Sequence, residues 1–167
     1  ILSLKRHGIT DIVIATNYRS ELVEAYLGDG AKYGVQLSFS REDKPLGTCG
    51  PVSLLRDHLR EPFFLMNGDI LTTLDFAKAM EFGNRVGTEL VVMTKEIVVP
   101  FHFGKILSDG DLITGVVEKP DFEFEILAGV YLLRPSLFDL IPCDAYYGMD
   151  TLIHDMLAAR RPVAKYP

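Results

Sequence analysis

The sequence is short of cysteine, with two in 167 residues, Cys49 and Cys143, far apart. Neither has a partner at metal-ligand or dithiol spacing, which excludes a cysteine-built metal or redox centre. Isolated thiols of this kind fit a reducing cytosol. The four histidines are scattered just as widely. They read as surface or core residues, and only His102, beside Gly104, lies near a candidate site. No apolar run approaches the length of a membrane span, and nothing resembles a signal peptide. No serine stands in a nucleophile-elbow pattern, which argues against covalent acyl chemistry. Positive charge is also in deficit, with 17 Lys and Arg against 23 Asp and Glu, a formal net charge of −6. The charges are interspersed, so a nucleic-acid surface is disfavoured while a local basic site for phosphate is not. Repeats, low-complexity tracts and linkers are absent, and residues 1–167 read as one domain.

The chain is then a regular alternation. Phe63 to Met66, bounded by Pro62 and Asn67, suits a strand buried on both faces. Before it, Asp11 to Thr16 is a β-branched strand, Ser20 can cap a helix carrying Leu22, Val23, Tyr26 and Leu27, and Val35 to Ser40 is a strand with one wetter face. A helix with Val52, Leu55 and Leu59 on one stripe precedes Phe63, and another starts near Asp75, followed by a strand over Glu89 to Thr94. This β-α rhythm predicts a mainly parallel sheet flanked by helices, an α/β fold. The grammar then changes. Asp109-Gly110 predicts a hairpin between Phe103–Leu107 and Leu112–Val117. A third run, Ile126 to Leu133, is interrupted at Ala128-Gly129, where a backbone or ligand can approach closely. Asp150 caps a last helix, with Arg160 and Arg161 in its final turn. Ile1 to Gly8 looks like the end of a helix and the chain stops on a strand, so both ends read as cut.

Three loops following strands carry polar residues beside small ones. Gly68 allows a sharp turn that leaves Asp69 just past the carboxyl end of a central strand, where open α/β sheets bind ligands. A lone carboxylate there either holds a divalent cation shared with substrate phosphate or merely caps a turn. Gly47 and Gly50 flank Thr48 and Cys49 immediately before a helix, offering backbone N–H groups to a base or an anion. The same pattern also describes an ordinary glycine turn with Pro51 at the first helical position. Glu118 and Lys119, adjacent at a strand end, can serve a sugar hydroxyl and a phosphate, or form a surface pair of little energetic weight.

In order, the motifs PLGTCG (Pro45–Gly50), NGDILT (Asn67–Thr72), FGKI (Phe103–Ile106), EKP (Glu118–Pro120), AGVYLL (Ala128–Leu133) and a helix from Asp150 before KYP form a specific series. The series resembles the sugar-phosphate nucleotidyltransferases, the family of glucose-1-phosphate thymidylyltransferase and mannose-1-phosphate guanylyltransferase. The resemblance implies the Rossmann-like nucleotide-diphospho-sugar transferase fold. It also implies attack of a sugar-1-phosphate oxygen on the α-phosphorus of a nucleoside triphosphate, releasing pyrophosphate, with Mg²⁺ as cofactor. By the same resemblance Gly47, Thr48 and Gly50 belong to the loop against the base, and Asp69, with Gly68 before it, binds Mg²⁺. Gly104 would back the sugar, Glu118 accept from sugar hydroxyls, Lys119 partner the sugar phosphate across from Asp69, and Gly129 belong to the sugar loop.

The departures are equally specific. The family's glycine-rich triphosphate loop would precede Ile1, and its second metal-binding Asp would follow Pro167. Leu127 stands where many relatives have an Asn that contacts the sugar, and Cys49 where Ala is usual. The expectation is therefore a fragment of a catalytic core, inactive or nearly so alone, cytoplasmic, and able to associate through an exposed sheet edge as a homo-oligomer. A non-catalytic regulatory relative that binds nucleotide or nucleotide-sugar is the alternative. A glycosyltransferase with an Asp-x-Asp metal site is disfavoured, because Leu71 occupies the second position after Asp69.

Overall fold

The computed structural model describes residues 1–167, and its organising strand is the one running against the others. In chain order the elements are α1 (Leu2–Arg6), β1 (Asp11–Thr16), α2 (Ser20–Leu27), β2 (Gln36–Arg41), β3 (Phe63–Met66), α3 (Phe76–Val86), β4 (Leu90–Pro100), β5 (Lys105–Asp109), β6 (Leu112–Val117), β7 (Asp121–Leu133), α4 (Met149–Ala158) and β8 (Val163–Tyr166). The main sheet has the order β3-β7-β4-β8, while β1-β2 and β5-β6 are separate pairs. Strand β7 is antiparallel to both β3 and β4, and β4 is parallel to β8. Strands β3, β4 and β8 thus share one direction. The α/β class and flanking helices are as expected, but the sheet is mixed rather than mainly parallel. The chain returns from the β5–β6 hairpin directly into β7 without a crossover helix, and a strand reached that way enters the sheet reversed.

Period-two alternation builds two cores, one on each face of this sheet. Leu90, Val92, Tyr131 and Leu133 join Leu152 and Met156 of α4 on one face. Val91, Met93, Val130 and Leu132 join Phe76 and Ala79 of α3 on the other. Helix α3 lies close against β7, since a Cβ on Gly83 would fall 2.4 Å from Leu132 Cδ2.

Beyond Thr94 and Leu127 the β4–β7 ladder continues as far as Pro100 and Asp121, longer at its outer end than the apolar runs predicted. This half is an exposed ribbon. Its backbone groups are satisfied by each other, so charged residues such as Glu96, Glu123 and Glu125 are tolerated there. The N–H of Phe101 donating to the Pro120 carbonyl closes its far end.

Local details also shift. The helix expected after Pro51 is a 3₁₀ segment, Gly50–Leu55, held tight where a Cβ on Gly50 would meet the Ala145 carbonyl. Arg19, with φ of 56°, rather than Ser20 occupies the N-cap of α2. Gly148 rather than Asp150 precedes α4, whose first N–H, from Met149, donates to Thr48 Oγ1. Asp75 does cap α3, its Oδ1 accepting from the Lys78 N–H.

The far end of the main sheet is fastened by Arg161. Its guanidinium donates twice to Glu89, at 2.7 and 2.6 Å, and twice to Asp139, at 2.9 and 3.0 Å. These bonds to Arg161, and then one from Ser136, hold the Glu89 carboxyl below its ordinary pKa of 4.5. The folded state therefore binds that proton less readily than the unfolded chain. The carboxylate's contribution is full above the ordinary pKa and is lost as pH falls through the depressed one. Glu89→Gln should lower unfolding free energy by about 1–3 kcal/mol at pH 7. In urea titrations the gap between wild type and variant should close below about pH 4.

Candidate functional site

The site is built by an irregularity in β7. Val92 pairs with Tyr131, but the next pair is Thr94 with Leu127, so three residues of β7, Ala128–Val130, oppose Met93 alone. The bulge depends on Gly129 at φ of 72°, a conformation that a side chain makes costly. Space requires glycine as well, since a Cβ would lie 3.0 Å from both Asn67 Nδ2 and Ile70 Cδ1. The displaced Gly129 carbonyl accepts the Asn67 N–H at 3.0 Å, which extends the β3–β7 pairing into the loop carrying Asp69. The Ile70 N–H then returns to the Asn67 carbonyl, forming the turn that presents Gly68 and Asp69 to solvent.

A cavity of about 750 Å³ opens there, bounded by Asn67, the segment Asp69–Thr73, Lys95 and the segment Ile126–Gly129. A smaller one of about 330 Å³ adjoins it and shares Thr72, Thr73, Lys95 and Ala128. Together they make a groove outside the carboxyl ends of β3 and the buried half of β4, the expected ligand position in an α/β sheet. Asp69 is exposed and enters none of the ion pairs. Leu127, 49% exposed, forms an apolar part of the wall with Ile126, Ile70 and Leu71.

The other sequence-predicted residues form two further groups. Gly104 and Glu118 adjoin, for a Cβ on Gly104 would lie 3.2 Å from Glu118 Oε2. Lys119 is exposed at φ of 45°, immediately before Pro120, a position where left-handed geometry is doubly disfavoured. It lines neither of the two cavities described above.

Gly47, Thr48 and Gly50 pack instead against residues 145–149. The Cys49 and Gly50 N–H groups both donate to the Tyr147 carbonyl, at 3.0 and 2.9 Å. Gly47, at φ of 82°, would set a Cβ 2.8 Å from that same oxygen. Two amides expected to face a base are thus committed internally, and Thr48 Oγ1 serves α4. Cys49 is fully buried, its thiol pushed up to about 12 by burial, so it acts as a small core residue. Sequence reasoning did not single out Lys95 or Thr73. The one available signal was a charge interrupting the apolar run of β4.

A family model described as nucleotidyl transferase matches residues 1–160. The chain belongs to that family. The mannose-1-phosphate guanyltransferase of Saccharomyces cerevisiae is 38% identical over 151 residues, covering 84% of this chain and 42% of its own. A probable mannose-1-phosphate guanylyltransferase of Oryza sativa subsp. japonica is 36% identical over 150 residues, with the same 84% and 42% coverage. The chain thus spans about two fifths of the length of these curated relatives.

Among solved structures, HddC from Yersinia pseudotuberculosis aligns with a TM-score of 0.74 at 21% identity, covering 99% of this chain and 72% of that one. A putative glucose-1-phosphate thymidylyltransferase from Bacillus anthracis aligns at 0.73 and 23% identity, covering 99% and 70%. These neighbours establish the nucleotidyltransferase fold.

Three backbone positions give direct tests. Gly129→Ala should cost about 2–4 kcal/mol in denaturant unfolding, from strain plus overpacking. Gly110→Ala, at φ of 55° with nothing within 4 Å of its Cβ, should cost only about 1 kcal/mol. Lys119→Gly should raise stability by about 0.5–1 kcal/mol by relieving left-handed strain.

Proposed function

We propose that the chain is the core of a sugar-1-phosphate nucleotidyltransferase. Such an enzyme transfers a nucleoside monophosphate group from a nucleoside triphosphate to a sugar-1-phosphate, forming a nucleotide-sugar and pyrophosphate. The observation that carries this reading is the free Asp69 carboxylate at the mouth of the groove, in a chain whose family model covers residues 1–160. The names of the relatives favour mannose-1-phosphate and a guanine nucleotide within this class.

The residues fit Mg²⁺ as a shared rather than a standing ligand. No group of three or more His, Cys, Asp or Glu could hold a metal by itself, whereas Mg²⁺ commonly takes one or two carboxylates and completes its shell with water and phosphate oxygens. Asp69 would be the protein ligand, and the ion would neutralise charge on the reacting phosphates. The chain's own residues chiefly bind and orient. Gly104 and Glu118 would meet the sugar, Lys119 its phosphate, and the loop with Gly47, Thr48 and Gly50 would back the base. In-line transfer needs little beyond such positioning and charge compensation. No helix is long and apolar enough to cross a membrane. We place the protein in the cytoplasm, where its substrates and reduced thiols would both be found.

The test is Mg²⁺-dependent calorimetric binding of GTP, dTTP, mannose-1-phosphate and glucose-1-phosphate, with pyrophosphate release measured alongside. At least one triphosphate and one sugar-1-phosphate should bind. Asp69→Asn should reduce the Mg²⁺-dependent part of triphosphate binding about tenfold or more, with an unchanged melting temperature. Absence of binding by every ligand tried would overturn the reading.

A further inference from the structure

We propose that Lys95 is the side chain that meets a phosphoryl oxygen of the ligand held in the groove beside Asp69. This rests on the nucleotidyltransferase reading but names a residue which that reading does not supply. Lys95 lines both cavities, and no other lysine, arginine or histidine lines either. The only other charged lining residues are Asp69 and Asp75. Asp75 is already engaged, capping the Lys78 N–H and lying within ion-pair distance of Lys78 and His7. Nearby Lys165 is paired with Glu125. Lys95 has no carboxylate within ion-pair distance and donates no side-chain hydrogen bond.

The backbone explains its position. Met93 faces the α3-side core, and Lys95, two residues on, follows on the same face just where burial ends. It pairs with Ile126, immediately past the bulge whose Gly129 is bonded to the Asp69 loop. The bulge therefore sets Asp69 and Lys95 around one space from two different strands. Ile70, Leu71, Ile126 and Leu127 contribute the apolar part of the wall there. A lysine without a partner, the one basic side chain lining the groove, gives a phosphate a point charge beside the carboxylate that would hold its metal.

The experiment compares wild type with Lys95→Met, Lys95→Arg and the control Lys165→Met. Calorimetry at low and high salt would use mannose-1-phosphate and Mg²⁺-GTP as separate probes. Lys95→Met should weaken at least one probe about tenfold or more and flatten its salt dependence. Lys95→Arg should stay within about threefold of wild type, and Lys165→Met should leave binding unchanged. Melting temperatures of all variants should match, which separates a lost contact from a damaged fold. A loss confined to mannose-1-phosphate assigns Lys95 to the sugar phosphate, and a loss confined to GTP assigns it to the triphosphate. Wild-type affinity for both probes in Lys95→Met would overturn the proposal while leaving the nucleotidyltransferase reading intact. If wild type binds neither probe, the reading fails and this assignment fails with it.

Discussion

Strand β7 runs against β3 and β4 and carries one extra kink, and the arrangement of the site follows from those two facts. Because it lies between two strands with α3 and α4 packed on its two faces, its inner half hydrogen-bonds on both sides and is buried on both faces. Because Ala128–Val130 oppose Met93 alone, the ladder cannot continue straight, and the mismatch is absorbed where Gly129 takes a positive φ. The Gly129 carbonyl then pairs with Asn67 instead of a regular partner. A loop that would otherwise leave the sheet freely is thereby tied to it within three residues of Asp69. The placement of the carboxylate is thus a consequence of strand pairing.

The same strand shows why burial must be considered separately from secondary structure. Residues 130–133 lie between α3 and α4, and their side chains, Val130, Tyr131, Leu132 and Leu133, are all buried. Residues 121–127 form a ribbon with β4 that no helix covers, and Glu123 and Glu125 alternate with Phe122 and Phe124. Backbone pairing stabilises both halves, but only the inner half also gains from removal of apolar surface from water. The outer half is held by cross-strand and aromatic contacts, among them Phe101 with Phe122 and Lys105 above the Phe122 ring. The groove lies at the junction, where a rigid buried sheet becomes an exposed ribbon.

Much of this was legible in the residues. Asp11–Thr16, Phe63–Met66 and the hairpin at Asp109-Gly110 carry strong local signals, and they form where those signals place them. Asp69 and the Ala128-Gly129 interruption were both marked, and the structure brings them together. The reversed direction of β7 was hidden, because an apolar run is the same read in either direction. Strand β4 was foreseen too short, because its outer half pairs without being buried and so lacks the pattern on which the reading relied. The Pro45–Gly50 loop was open to two readings for a related reason. Glycines that let a ligand approach and glycines that let another stretch of backbone approach look alike, and here Gly47 and Gly50 face the carbonyls of Tyr147 and Ala145. Lys95 escaped notice because nothing local distinguishes a lysine on an exposed strand from one at the edge of a groove.

The electrostatics of the groove follow from its sparseness. In a chain of net charge −6, phosphate ligands gain no general attraction from the protein's field, so their binding must come from a few placed charges. Asp69 alone would repel phosphate. With a divalent cation the sign at that position reverses, and carboxylate and phosphate become joint ligands. On the proposed reading, one carboxylate and its waters would hold Mg²⁺ weakly, so metal and phosphate affinity would be coupled, each raising the other by the same factor. Such a site would be selective for the pair over either component. A richer cluster of carboxylates would bind metal tightly, but it would also present more negative charge to the phosphates that must come next.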